Sequence, residues 1–297
     1  APGGGYQQGR RAMEDLLEYR ALEDLTRGWR VVQPNLEQVG LLRIGYSGLS
    51  ELAADDTIWQ GLPAIGGATS ELRERVLRAV LDHLRMQLVI DSQPLTEQAT
   101  RQLVRATGQW LRDPSALEER DRLRLQGLAL LPGFVLGPYE NHRGVMSLNP
   151  SRSSVGRYLR AAQTWDNAHR LSADDTETLI VGIVDRLNGH ILTKVTHQGQ
   201  ERGVRILAAA MQWEPGNREA PPPDPVRTKS PHQLRDVEGS STPNKYFSAL
   251  YANGAGGFKG MLGREHTGQV RDSDRAQREQ DFREGRLPAL FCSPTME

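Results

Sequence analysis

The strongest constraint in this sequence is the three- and four-residue recurrence of its leucines. Leu72, Val76, Leu77, Val80, Leu81, Leu84 and Leu88 fall on one side of a 3.6-residue period, the mark of a helix that buries one stripe. The spacing predicts a helix over 70–90 with Ser70 as its N-cap. The same recurrence predicts a helix over 6–26, carried by Met13, Leu16, Leu17, Ala21, Leu22 and Leu25 and closed near Gly28. Further helices follow over 49–59, 96–111 and 115–130. In the helix over 96–111, Leu103, Val104, Ala106 and Trp110 face inward and Asp113-Pro114 stops the chain. Asn35, directly after Pro34, caps a short turn of helix. Residues 1–131 therefore read as a helical array whose leucine stripes are core, not cofactor contacts.

The character changes at Pro132. PGFVLGPYENHRG mixes Gly, Pro and Asn, which marks an irregular connection or short hairpin, and Tyr139-Glu140-Asn141-His142-Arg143 within it reads as a solvated loop. Two helices follow. The first runs from Ser154 to Trp165 with Val155, Tyr158, Leu159 and Ala162 on one face. The second is capped by Ser172 and stopped at Asn188-Gly189. Ile191 to Val195 reads as a strand by its β-branched content, 198–203 as a six-residue polar turn, and Val204 to Leu207 as the partner strand. A helix pair closed by a β-ribbon is the winged-helix pattern, so 132–213 reads as a winged-helix-like α+β unit. Its ribbon offers Lys194, His197, Gln198, Gln200, Arg202 and Arg205 to a nucleic acid. The second helix carries more acids (Asp174, Asp175, Glu177, Asp185) than bases (Arg186), which argues against major-groove insertion. Protein packing is the alternative use of such a unit.

Five prolines between Ala220 and Pro231 make 214–241 a Pro-rich linker, an extended spacer between domains. Beyond it, Thr242-Pro243 opens a helix with Tyr246, Phe247, Leu250 and Tyr251. A charged helix over about 274–284, a Gly285 stop and an apolar run from Leu287 to Cys292 then read as one helix-to-strand step of an α/β sheet. The strand opens into Ser293-Pro294-Thr295, hydroxyl residues where a parallel sheet presents its C-terminal edge to ligands. The expected fold is mainly α: a helical array, a winged-helix-like unit, and a partial α/β segment over 242–297.

The order and spacing of this last stretch, His266-x-Gly268 followed by R-x-x-x-E-x-x-F-R-x-G-x-L-x-x-L-x-C-S-P-T-M-E, resemble the second RecA-like domain of superfamily 2 helicases from its His-Gly turn into motif V. More narrowly, WRVVQPNLEQVGLL (29–42) together with REHTGQV (264–270) and LFCSPTME (290–297) resemble the large helicase subunit of bacterial DISARM phage-defence systems. The resemblance implies that 242–297 begins the second RecA-like domain and breaks off within motif V. It implies DNA-backbone contacts from His266, Thr267, Gly268, Ser293 and Thr295, with Ser293 at the usual motif V threonine. Hydroxyls suit that role because a phosphate oxygen accepts a hydrogen bond without any base being read. ATP and Mg²⁺ are implied for the intact enzyme but not bound by these residues. The implied partners are single-stranded or forked DNA, the remaining domains of the same helicase and a second defence-system subunit.

Several chemistries are excluded. No G-x-x-x-x-G-K-[ST] phosphate loop and no Asp-Glu-x-His or Asp-Glu-x-Asp box occurs, so these residues alone are expected to be inactive towards ATP. The seven histidines show no paired-ligand spacing, no G-x-S-x-G elbow exists, and Cys292 is the only cysteine, so neither a disulfide framework nor a Cys-based zinc site is present. A formal net charge of zero means that any nucleic-acid contact must come from local clustering. Only four of the 37 basic residues are lysine (Lys194, Lys229, Lys245, Lys259), an arginine excess for which GC-rich coding is the plain explanation. The single thiol and the lack of an apolar signal core or a roughly 20-residue apolar run suggest a cytoplasmic protein without a membrane span. A non-enzymatic adaptor and a sequence-specific winged-helix regulator stand as the competing functions.

Overall fold

The computed structural model describes residues 4–26, 34–112, 115–117, 123–137, 143–197, 199–227, 243–257, 263–266, 272–287 and 289–292. The chain divides into two compact units, Ala1–Ser248 and Ala249–Glu297. The fold is mainly α, with small mixed sheets.

In the first unit the leucine period produces α1 (Gly4–Asp24), α2 (Leu49–Ala54), α3 (Asp56–Trp59), α4 (Ser70–Arg85) and α5 (Glu97–Trp110). Helix α1 packs on α5, and α2 on α4. Leu16, Tyr19, Leu22 and Leu25 of the first helical stretch join Val76, Leu77, Leu81 and Leu84 of α4 in one core. Leu17 and Trp110, both expected inside, are exposed. Tyr19, between Leu16 and Leu22 on the same face, is buried in their place. Asn35 does cap a turn: its Oδ1 accepts from Gln38 N while Gln38 Oε1 accepts from Asn35 N, each at 2.9 Å.

Helix α4 is shorter than its stripe. Thr69, one residue before Ser70, is the cap and accepts from Leu72 N. The helix closes with Val89 N donating to Leu84 O and Leu88 N to Arg85 O, a Schellman motif with Leu88 at φ 55° in the position that favours glycine. Ile90 and Asp91 then form β2, parallel to a later strand. The apolar stripe therefore spans two element types, because Val89-Ile90 is β-branched and joins the sheet.

The helix expected over 115–130 is not formed in its described part. Residues 123–127 are irregular, and Leu128–Leu130 form β3. Leu123, Leu125, Leu128 and Leu130 fit a two-residue alternation broken at Gly127 nearly as well as a helical period, and sheet pairing decides between them. β3 lies parallel to β4 (Val145–Ser147) and antiparallel to β6 (Gln200–Leu207).

Helix α6 (Ser154–Arg160) and a 3-10 turn at 162–165 replace the longer helix read from the sequence. Ser172 and Asp175 form a capping box at the head of α7 (Ala173–Leu187). The ribbon β5 (Leu192–His197) and β6 pairs out to His197 opposite Gln200, so its turn is two residues, not six. β5 covers one edge of β6. On the other edge β3 pairs with 203–204 and β2 with 206–207, so β2 and β3 share that edge end to end.

Two strands were not expected from the sequence: β1 (Leu42–Tyr46) and β7 (Met211–Pro215) form an antiparallel pair. The pairing draws the start of the proline-rich segment onto the first unit. Gly216 N and Arg218 N donate to Leu41 O and Gly40 O, and Asp224 and Val226 are buried. Residues 216–227 are thus packed chain, where an extended spacer was expected; 228–242 lie outside the described residues.

The second unit holds most of α8, α9 and a parallel strand pair. Helix α8 (Lys245–Gly257) is capped by Asn244, whose Oδ1 accepts from Tyr246 N and Phe247 N. β8 (Gly263–His266) and β9 (Ala289–Cys292) are parallel, and α9 (Asp272–Arg283) lies between them in sequence. This is the helix-to-strand step read from the charged helix, with Gly285 at φ 74° as its stop.

Candidate nucleic-acid interface

Two parts of the fold carry the residues singled out in the sequence, one in each unit. In the second unit, β8 and β9 run in register from Gly263 opposite Ala289 to His266 opposite Cys292. The two strands therefore end together. His266 immediately precedes Thr267-Gly268, and Cys292 immediately precedes Ser293-Pro294-Thr295. Those five residues lie outside the described residues, as do Gln198 at the ribbon tip and Tyr139 to His142.

In the first unit the ribbon places Lys194 on β5 and Gln200 and Arg202 on β6. Lys194 does not present a free charge. Its Nζ lies 2.8 Å from Glu201 Oε2 and 3.1 Å from Asp185 Oδ1, and these two carboxylates push its pKa up. Gln200 is exposed next to the tip. Arg202 is half-buried and its carbonyl accepts from Leu131 N, which ties β6 to the end of β3. Arg205 turns inward: its Nε donates to Gly127 O at 2.8 Å, and burial lowers its pKa. The exposed side of α7 presents Asp174, Asp175, Glu177 and Asp185. A phosphate approaching that helix would meet like charge, which agrees with the sequence argument against groove insertion.

The most concentrated polar chemistry lies among residues that are distant in sequence. His83 on α4 pairs with Asp224 of the proline segment. Two residues on, Arg85 is buried with Glu37 in a two-point contact (2.6 and 3.1 Å), with Asp82 at 3.3 Å. Tyr46 donates to Asp82 Oδ1 and accepts from Arg85 Nε. The i,i+3 spacing of Asp82 and Arg85 was the only local clue; Glu37, Tyr46 and Asp224 come from distant sequence. Glu37, Asp82, Arg85 and Asp224 border a cleft of about 790 Å³ between α4, Tyr158 and the proline segment. Its lining mixes Arg75 and Arg78 with Glu37, Asp82 and Asp166, so it favours neither a cation nor an anion. A small void of about 20 Å³ among Leu77, Leu84, Ile183 and Val204 is a packing gap in the core.

Among the described residues no group of three His, Cys, Asp or Glu side chains could hold a metal ion. No described helix is long and apolar enough to cross a membrane. No family model matches the chain, and no curated protein or solved structure is significantly similar to it.

Proposed function

We propose that these residues belong to an ATP-dependent DNA helicase or translocase of superfamily 2, of the DISARM phage-defence type, and that they supply DNA-backbone contacts and scaffold. The observation that carries the reading is the parallel register of His266 with Cys292. It brings together the strand ends from which the His-Thr-Gly and Ser-Pro-Thr segments lead, at the C-terminal edge where parallel sheets receive ligands. The β8–α9–β9 step is the element a RecA-like domain repeats. The α6–α7 pair, closed by the β5–β6 ribbon with β3 on its inner edge, fits a winged helix. In such an enzyme ATP and Mg²⁺ would be held by residues other than these, since this sequence has no phosphate loop. The partners would be single-stranded or forked DNA, the other domains of the helicase and a second defence subunit, in the cytoplasm.

A second reading, a non-enzymatic adaptor, draws on one observation: the ribbon lysine is already engaged by two acids beside an acidic helix face. Salt-dependent binding to forked DNA separates the two. The helicase reading expects affinity to fall steeply with salt and to weaken several-fold on Thr295→Ala. Binding indifferent to both salt and Thr295→Ala would hand the function to the adaptor.

A further inference from the structure

The surface that follows β4 is rich in arginine and poor in acid. Arg152, Arg157 and Arg170 are exposed and Arg160 is half-buried, all between Ser151 and Ser172, where the only acid is Asp166. Asp166 is taken by Arg75, at 2.5 Å. None of Arg152, Arg157, Arg160 and Arg170 has a carboxylate within ion-pair distance among the described residues. Among the described residues the one side-chain bond of Arg157 is to Ser154 Oγ, at 3.3 Å. Elsewhere arginines are commonly spoken for, as Arg73 is by Asp56, Arg78 by Glu74 and Arg85 by Glu37.

We infer that α6 and the turn leading into α7 form the phosphate-contacting surface of the first unit, taking a nucleic-acid backbone in place of the ribbon and α7. This rests on the nucleic-acid reading above and relocates its contact.

Local hydrogen bonds fix the backbone that carries Arg152 and Arg157. Asn149 Oδ1 accepts from Ser151 N and Arg152 N, and Ser153 Oγ caps the helix through Gly156 N. A Cβ on Gly156 would sit 2.2 Å from Pro150 O, so the first turn of α6 is clamped against the loop that carries Arg152. Arg157 and Arg160 are three residues apart on α6 and so lie on neighbouring positions of one helix face, with Arg152 on the loop just before it. Serines Ser151 and Ser154 add neutral donors of the kind that position a backbone.

The patch also lacks what a protein partner would require. No large apolar side chain is exposed between Asn149 and Ser172, whereas protein interfaces centre on buried aromatic or aliphatic anchors. An interface of arginine and hydroxyl without such an anchor fits phosphodiester contact.

The test is fluorescence anisotropy of the full chain with a labelled forked DNA across a salt series. Arg152→Gln, Arg157→Gln and Arg170→Gln are combined, since all three side chains are exposed and their loss should leave the melting temperature unchanged. We expect at least a tenfold loss of affinity at low salt and a salt slope shallower by about 2. The triple Arg→Lys variant should retain most of the binding, and Lys194→Ala should change it less than twofold. A triple Gln variant that binds like wild type, while Thr295→Ala weakens binding, would overturn this surface and leave the helicase reading intact. Wild-type protein that fails to bind DNA would remove both. Equal competition by poly-glutamate at matched charge would assign the patch to an acidic protein and overturn the nucleic-acid inference.

Discussion

His83 Nδ1 lies 2.9 Å from Asp224 Oδ2, with 5% and 1% of the two side chains exposed. The contact joins α4 to the proline segment across 141 residues. Asp224 also organises its own turn, accepting from Val226 N through Oδ1 and from Arg227 N through its carbonyl. Removing the imidazole would leave a carboxylate in a dry site with one partner fewer. His83→Ala is therefore expected to cost about 3 kcal/mol. It should also expose Arg218 and Arg227 to trypsin faster than it lowers the urea midpoint of α1 and α5. Unaltered cleavage there would mean that β1–β7 pairing alone holds the segment.

Arg85 and Glu37 make the more elaborate pair, and the two partners should respond unequally to substitution. Burial raises the Glu37 pKa, and the Arg85 guanidinium only partly opposes it. The neutral acid is thus easier to accommodate in the fold than the two-point geometry suggests. Its contribution to stability is fully present below a pH of about 4.5 and is lost as pH rises through the folded value. Glu37→Gln should cost less than about 1 kcal/mol at neutral pH and flatten this decline. Arg85→Met leaves Glu37 and Asp82 facing each other without a cation, and should cost about 3 kcal/mol or more. Chemical denaturation from pH 4 to pH 8 on both variants checks the asymmetry.

Tyr19 and Tyr158 are each pushed up to about 12, chiefly by burial, and Tyr46 is raised well above its ordinary value for the same reason. Ionising a phenol in the folded state is disfavoured. The stability these groups contribute is therefore fully present below a pH of about 10 and is lost as pH rises through 12. Ultraviolet titration of tyrosinate should show a late class that appears with the loss of circular dichroism. Tyr19→Phe should move the alkaline unfolding midpoint upwards. Tyrosines that all titrate near pH 10 in folded protein would contradict the burial of these three.

The sequence was informative where local chemistry decides and silent where pairing partners are distant. Ser172 with Asp175, Asn35 with Gln38 and Gly285 act within four residues, and each was readable as a cap or stop. β1 and β7 lie about 170 residues apart; LRIGY and MQWEP each alternate apolar with non-apolar positions, but over only five residues, and neither segment alone identifies its partner. Leu128–Leu130 was absorbed into a leucine period because β6, which pairs with it, begins some 70 residues later. The ribbon was legible from its β-branched residues, yet the engagement of Lys194 depends on Asp185, which reaches it from α7. For the same reason the proline segment read as a spacer: the histidine that holds Asp224 lies on α4.

Two non-glycine residues at positive φ give opposite predictions. Leu88 (φ 55°) and Arg218 (φ 68°) both occupy the left-handed region, which costs an L-residue about 1 kcal/mol relative to glycine. Arg218 is exposed and donates only its backbone N–H, to Gly40 O, a bond glycine would keep. Arg218→Gly removes the steric cost and adds some unfolded-state entropy, so stability should rise by about 0.5 kcal/mol. Leu88 is 2% exposed within the core that joins α4 to the sheet. Leu88→Gly relieves the same backbone strain but deletes a buried side chain, whose loss costs about 2–5 kcal/mol. The net change should be a fall of at least about 1 kcal/mol, read by calorimetry of both variants side by side. A gain in both would mean that backbone strain outweighs burial at the end of α4. A loss in both would mean that the Arg218 turn relies on its side chain.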